Sequence, residues 1–173
     1  MNKTIKQIAL ALAIGFTLII SSCIPDPDPV EERTLAMELS EISELIGQIE
    51  DAGLNVDTTE LGVYYIIDTM GIGALPNFGD TLYMKYTGYF LDGYVFDASD
   101  LHQENLNGIW EFIYQPDKLI KGFENGISLM NKGTRLNMII PSGLAYGQNG
   151  TSTMLPFTPL RFEAEMVNIK PTN

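Results

Sequence analysis

The stretch that decides the fold reads Lys85-Tyr86-Thr87-Gly88-Tyr89-Phe90-Leu91-Asp92-Gly93-Tyr94-Val95-Phe96-Asp97. From Leu82 to Thr87, apolar and polar side chains alternate, which is the pattern of a strand buried on one face. Asp92-Gly93 then indicates a tight hairpin turn, because glycine tolerates the positive φ that such turns require. We therefore predict two paired strands that bring Tyr86 close to Phe96, with the carboxylate of Asp97 beside them.

The sequence from about residue 59 onward predicts several short strands and one short helix. Further strands are predicted over residues 61–67, 80–90, 108–114, 134–140 and 160–169, and the helix over residues 121–130. Many strands, hairpin turns and a single short helix favour an α+β domain, in which an antiparallel sheet wraps around the helix. No internal repeat is present, so we predict one domain over residues 59–173.

A second helix is predicted upstream, from about Thr34 to just before Gly53, with a linker to residue 58. Apolar residues recur at spacings of four and three, which predicts an amphipathic helix with solvated acidic residues. The apolar stripe is Leu35, Leu39, Ile42, Ile46 and Ile49, and the acidic residues are Glu38, Glu41 and Glu44. The stripe could pack on the domain as a cap, or the helix could be a spacer or a dimerisation element. Fewer than three heptads is short for a coiled coil, so a cap or a spacer is favoured.

The first 22 residues have the features of a bacterial lipoprotein signal peptide. Lys3 and Lys6 form a positive start, and the apolar run over residues 8–20 is short for a membrane span. Small residues then precede Cys23, as in a lipobox, where the thiol is acylated and becomes the mature N-terminus. An ordinary secretory signal with an unmodified cysteine is the alternative. Because Cys23 is the single cysteine, no intramolecular disulfide can form, and several acyl chains on it would give a stable membrane anchor.

Alternating proline and aspartate follow in a predicted tether over residues 23–33. This composition forbids a helix and favours a stiff, extended polyproline II segment. Its acidity also resembles the export tags of some lipoproteins that reach the cell surface. We therefore expect an extracytoplasmic protein that is lipid-anchored to a bacterial membrane, with the outer membrane favoured. The anchor could lie on the periplasmic face or on the surface face of that membrane.

The charge balance excludes several classes of partner. The chain has 22 acidic and 10 basic residues and a net charge of −12. Nucleic acids are bound through lysine and arginine, so neither a nucleic acid nor an anionic lipid surface is an expected partner.

Few residues are available for acid–base, nucleophilic or metal chemistry. His102 is the single histidine, and no Gly-x-Ser-x-Gly turn accompanies it. Zinc sites of the usual type lack ligands, and Asp92, Asp97 and Asp100 do not have the spacing of a calcium loop. We expect no metal and no cofactor, and we interpret His102 as a residue of a solvated loop.

A series of motifs over about a hundred residues resembles the FKBP-type peptidyl-prolyl cis-trans isomerases. They are Tyr86-Thr87-Gly88, Leu91-Asp92-Gly93, Phe96-Asp97, residues 119–126, Met130-Asn131-Lys132-Gly133, Ile140-Pro141, Leu144-Ala145-Tyr146-Gly147 and Leu160-Arg161-Phe162-Glu163. The resemblance implies an FKBP-like fold and catalysis of Xaa–Pro isomerisation in proline-containing polypeptides during folding. It also makes a macrolide a candidate ligand.

The same resemblance implies the residues of the site. Catalytic roles fall on Tyr86, Phe96, Asp97, Ile120 and Tyr146, and substrate binding on Trp110, Leu119, Phe123, Leu155 and Phe162. The N–H of Ile120 and the hydroxyl of Tyr146 would bind substrate carbonyls, Phe123 would be the floor, and Asp97 would accept a hydrogen bond from Tyr86 at the rim.

The chain departs from the family pattern at three places. Phe123 stands where the family usually has tryptophan, and His102 lies nearest to where an arginine often pairs with the acid. The loop over residues 154–160 is altered, with Phe157 in place of a proline. This loop leaves a second hypothesis open, in which the protein is a non-catalytic FKBP-like chaperone or an accessory binding lipoprotein of an envelope assembly.

Overall fold

The computed structural model describes residues 32–172. Within this range it contains helices α1 (Leu35–Asp51) and α2 (Lys121–Ile127), and strands β1 (Asp57–Thr58), β2 (Tyr64–Thr69), β3 (Thr81–Phe90), β4 (Val95–Ala98), β5 (Trp110–Ile113), β6 (Arg135–Ile140) and β7 (Leu160–Lys170). Neither of these helices is both long and apolar enough to cross a membrane. The predictions for the signal peptide, for Cys23 and for nearly all of the tether lie outside the described residues.

Strand β3 is the centre of a seven-stranded, antiparallel sheet, in which six strands have the order β1-β2-β6-β7-β3-β4 and β5 pairs with β3 off this path. Its full length, Thr81–Phe90, pairs with β7 on one side. On its other side the first half pairs with β5 and the second half with β4. Tyr86 therefore lies in the strand that pairs with β4, β5 and β7. The pairing of β3 with β4 is the hairpin that the sequence predicted.

Helix α2 lies close against the sheet through two glycines. A Cβ added at Gly122 would overlap the side chain of Ile140, and one at Gly126 would lie 2.6 Å from Met138 Sδ. Because hydrogen replaces a side chain at both positions, the helix can bury Phe123 and Ile127 against β6. The predicted α+β fold, with an antiparallel sheet around one short helix, is confirmed. The helix ends at Ile127 rather than at residue 130, because Leu129 and Met130 close turns onto Gly126 and Ile127.

Helix α1 begins and ends close to the predicted limits. Thr34 is its N-cap, and the hydroxyl of Thr34 accepts a hydrogen bond from the N–H of Met37 at 3.3 Å. Ile42 is buried, with 3% exposure, so the helix packs on its own domain as the cap interpretation expected.

The predicted apolar face of α1 is wrong in part. Glu38 was expected to be solvated but is 1% exposed, whereas Leu35 and Leu39 are 53% and 55% exposed. The carboxylate of Glu38 can be buried because it accepts two hydrogen bonds from Ser142, a residue 104 positions away. Periodicity within the helix carries no information about donors that distant in the chain.

Tyr114 joins the end of β5 to α2, and its hydroxyl donates to the carbonyl of Glu124 at 3.2 Å. Burial raises the pKa of Tyr114 to about 12. The unfolded chain loses this proton near the ordinary value of about 10, so the free energy of unfolding should fall as the pH rises from about 10 towards 12. We expect Tyr114→Phe to make this fall shallower in urea titrations at pH 9–11.

Tyr94→Phe is the matched control, because it removes a phenol hydroxyl from a side chain that is 67% exposed. A Tyr114→Phe slope equal to that of the wild type would contradict the assignment of this titration to Tyr114.

Candidate active site

A cavity of about 570 Å³ opens between the hairpin, β5, the start of α2 and the loop over residues 143–146. Nine of the ten residues expected from sequence to form the catalytic and substrate-binding site line it, namely Tyr86, Phe96, Asp97, Trp110, Leu119, Ile120, Phe123, Tyr146 and Phe162. Leu155 is the exception, since it is 66% exposed and lines a different cavity beside α1.

Aromatic rings form the floor and the walls of this cavity. The ring centroid of Phe162 lies 4.8 Å from that of Phe123, 5.6 Å from that of Phe96 and 6.3 Å from that of Tyr86. The indole of Trp110 lies edge-on to Tyr86 at 5.5 Å. Phe123 and Phe162 are buried at 4% and 6% exposure and form the floor, while Tyr86, Phe96 and Trp110 are half-buried and form walls. The arrangement suits a small apolar ring better than a charged ligand.

A β-bulge and a glycine place Phe96 in the wall. In the pairing of β3 with β4, Gly88 lies opposite Asp97 and Tyr89 lies opposite Val95, so Phe96 is the extra residue between them. A Cβ on Gly88 would lie 2.7 Å from Phe96 Cζ and 2.9 Å from Phe162 Cε1. The absence of that Cβ lets both rings cover the strand.

Asp97 is held at the rim by two hydrogen bonds. Tyr86 Oη donates to Oδ2 at 2.8 Å, and His102 Nε2 lies 2.8 Å from Oδ1. An ionised carboxylate only accepts, so the imidazole nitrogen carries the hydrogen in this contact. The side chain of His102 is 42% exposed, so the loop is solvated as expected. Its contact with Asp97 was not predicted, although the sequence analysis placed His102 nearest to where an arginine often pairs with the acid.

The loop that carries His102 is fastened to β3. The hydroxyl of Ser99 accepts from the N–H of Tyr86 at 3.2 Å and donates to the carbonyl of Gly108 at 2.7 Å. Asn105 Nδ2 donates to the carbonyl of Ser99 at 2.6 Å. These bonds, together with the short 3₁₀ helices Ser99–Leu101 and Leu106–Gly108, hold the long loop in place.

Tyr86 stays protonated in this environment. Burial raises its pKa well above the usual range, and the hydrogen bond to Asp97 and the negative charge of that carboxylate raise it further. The phenol is therefore a hydrogen-bond donor at any physiological pH, and Asp97 remains its acceptor.

Several donors at the cavity have no hydrogen-bond partner among residues 32–172, and two of them are the donors that the family resemblance implies for substrate binding. These two are the backbone N–H of Ile120, the residue that precedes α2, and the hydroxyl of Tyr146, whose side chain lies at the rim with 38% exposure. An Xaa–Pro peptide has carbonyl oxygens that would satisfy both.

Other lining residues were not singled out from the sequence as site residues. Lys118 and Lys121 flank Leu119-Ile120 at the rim, and Gly143, Leu144 and Ala145 precede Tyr146. The positions of Leu144 and Ala145 within the motif of Tyr146, and of Lys121 within the motif over residues 119–126, were usable signals. Lys118 had none, since exposed lysines are common.

Comparisons with known proteins agree with this geometry. A model of the family described as FKBP-type peptidyl-prolyl cis-trans isomerase matches residues 73–167. The chain is similar to the FKBP-type peptidyl-prolyl cis-trans isomerase FkpA of Escherichia coli, with 32% identity over 67% of this chain and 41% of that protein. It is similar to the FKBP-type 22 kDa peptidyl-prolyl cis-trans isomerase of Escherichia coli, with 31% identity over 80% of this chain and 64% of that protein. The match thus spans less than two thirds of the length of each of these two relatives.

The fold is similar to solved structures as well. A peptidyl-prolyl cis-trans isomerase from Pseudomonas syringae superposes with a TM-score of 0.65 and 27% identity, over 82% of this chain and 98% of that one. The crystal structure of FkpA from Escherichia coli superposes with a TM-score of 0.61 over 100% of this chain and 75% of that one, and its 23% identity bears on the fold alone. The chain belongs to the FKBP-type peptidyl-prolyl cis-trans isomerase family.

Proposed function

We propose that this protein accelerates the cis–trans isomerisation of Xaa–Pro bonds in polypeptides that fold outside the cytoplasm. The observation that carries the proposal is the aromatic cavity with the N–H of Ile120 and the hydroxyl of Tyr146 at its edge, both without a partner among residues 32–172. Nothing in this proposal requires proton transfer, a covalent intermediate, a metal or a cofactor.

The chemistry follows from amide resonance. Rotation about an Xaa–Pro bond crosses a barrier of about 18–20 kcal/mol, because the C–N bond loses its partial double-bond character on the way. The planar amide has more charge separation than the twisted one, so a site that excludes water disfavours the planar form relative to the transition state. Lowering the barrier by about 7 kcal/mol would give about 10⁵-fold acceleration.

The residues would divide this work between them. Phe96, Trp110, Phe123 and Phe162 would enclose the pyrrolidine ring and exclude water. The N–H of Ile120 and the hydroxyl of Tyr146 would fix the carbonyls on either side of the bond that turns. Asp97, accepting from Tyr86 and held by His102, would fix the Tyr86 wall and polarise the rim of the site.

A protease-coupled assay on an Xaa-Pro peptide tests the proposal. We expect the wild-type protein to accelerate the slow phase in proportion to its concentration. Folded protein, verified by circular dichroism, that leaves the rate at the buffer value would overturn the enzyme proposal. If such protein still bound the peptide, the alternative proposal, a non-catalytic chaperone or accessory subunit, would replace the enzyme proposal. The exposed Leu155 and its altered loop would then serve that non-catalytic role.

We also propose that Cys23 carries the lipid anchor and that residues 1–22 are removed. This proposal is supported by the signal-like sequence that precedes Cys23. The predicted location outside the cytoplasm depends on the same sequence. Cys23→Ser should move the protein from the membrane fraction to the soluble fraction of cells and abolish labelling by radioactive palmitate. A variant that stays membrane-bound would contradict the lipid anchor.

Binding of a macrolide in the aromatic cavity is likewise a proposal, testable by competition in the peptide assay.

A further inference from the structure

We propose that Glu38, in the helix that precedes the FKBP-type domain, is a positioning residue that sets the loop carrying Tyr146. The proposal rests on the isomerase function for its kinetic consequence, but its structural content is independent of catalysis. Glu38 lies outside residues 73–167, the part of the chain that matches the family. No sequence motif of the site includes it.

The contact is a two-point hydrogen bond inside the protein. Glu38 Oε1 accepts from the N–H of Ser142 at 2.5 Å, and Oε2 accepts from the hydroxyl of Ser142 at 2.7 Å. Glu38 and Ser142 are only 1% and 3% exposed. A buried carboxylate is costly to desolvate and is retained where good donors meet its oxygens, so both groups are fixed in direction.

Ser142 stands at the start of the wall of the cavity. It opens the short 3₁₀ helix Ser142–Leu144, and its carbonyl accepts from the N–H of Ala145 at 2.8 Å. Gly143, Leu144, Ala145 and Tyr146 all line the cavity. Fixing the amide and the hydroxyl of Ser142 therefore fixes the start of the segment that ends at Tyr146.

The far side of Tyr146 is tied to the same N-terminal segment. Arg33 Nη2 donates to the carbonyl of Phe157 at 3.0 Å, and Glu41 pairs with the same guanidinium at 2.6 Å. The N–H of Phe157 in turn donates to the carbonyl of Gly147, next to Tyr146, at 3.1 Å. The loop is thus held at Ser142 by Glu38 and at Gly147 through Phe157 by Arg33, so the cap helix is part of the scaffold of the site.

The test uses the full chain with Glu38→Ala, Glu38→Gln and Ser142→Ala, and Glu50→Gln as a matched control. Glu50 is an exposed glutamate of the same helix and should change nothing. Loss of the carboxylate should lower kcat/KM for an Xaa-Pro peptide about tenfold in Glu38→Ala. Glu38→Gln keeps the shape and an acceptor for the N–H of Ser142, and should restore activity to within about threefold of the wild type. Ser142→Ala removes only one of the two hydrogen bonds, so it provides a folded variant for the same measurements even if Glu38→Ala fails to fold.

Hydrogen exchange separates a positioning role from a merely structural one. In Glu38→Ala and Ser142→Ala we expect the amides of residues 142–146 to exchange about tenfold faster, with those of β7 unchanged. Lower thermal stability with unchanged kcat, KM and exchange at residues 142–146 would overturn the proposal. Wild-type protein that fails to isomerise peptides would overturn the proposed function. Hydrogen exchange needs no substrate, so it would still decide whether Glu38 positions residues 142–146.

Discussion

Phe96→Ala is expected to lower kcat/KM for an Xaa-Pro peptide by about 30- to 150-fold. Its ring forms a wall of the cavity, and the lost apolar contact with a proline ring corresponds to about 2–3 kcal/mol of transition-state binding. The cost in stability should be smaller, at about 1 kcal/mol, because Phe96 is only half-buried and touches Phe90 and Phe162 along ring edges and tilted faces. Steady-state kinetics and urea unfolding of the same preparations measure both effects.

Tyr94→Ala is the matched control for this prediction. Tyr94 belongs to the same hairpin and stacks on Phe90 at 6.0 Å, but it is 67% exposed and does not line the cavity. It should keep kcat/KM within about twofold of the wild type, since it makes no contact in the cavity. If Phe96→Ala lost activity only in proportion to its loss of folded protein, Phe96 would be a packing residue and not part of the site.

Gly150→Ala should give the largest loss of stability among single substitutions in the loop after Tyr146. Gly150 has φ 58° and ψ −153°, a region of backbone space that is essentially restricted to glycine. A Cβ there would lie 2.8 Å from Leu155 C and 2.9 Å from Pro156 N and would overlap the carbonyl of Met154. These are backbone atoms, which cannot rotate aside. Strain and overlap together should cost about 3 kcal/mol or more, or roughly 10 °C in the unfolding midpoint.

Gly147→Ala separates overlap from backbone preference. Gly147 also has positive φ, at 70°, but an added Cβ there meets nothing within 4 Å. Its cost should stay near about 1–2 kcal/mol, the ordinary penalty for a left-handed residue with a side chain. Calorimetry that gave the two variants the same midpoint would show that the close approach to Leu155 and Pro156 relaxes freely.

Local sequence patterns determined most of the fold. Alternation around Tyr86 and the turn residues Asp92-Gly93 predicted the hairpin, and Gly93 has the expected positive φ of 90°. Thr34 marked the start of α1, and the motif over residues 119–126 marked α2. These features depend on neighbours within a few positions, which the sequence displays directly.

The family motifs identified ten expected site residues, and nine of them line one cavity. Tertiary contacts decided the features of the site that the motifs did not indicate. The family pattern indicated only that His102 lies nearest to the place of an arginine that often pairs with the acid. The contact of His102 with Asp97 and the position of Leu155 outside the cavity both depend on the path of a loop.

Glu38 illustrates the limit most clearly. Helical periodicity assigned it to the solvated face, and only the sheet, by carrying Ser142 to the end of β6, supplies two donors that make burial of its carboxylate favourable. The sequence by itself determined the strands, the helices and the family of this protein. The tertiary structure decided which polar groups are buried, because burial of a charge depends on partners that meet it only after the chain has folded.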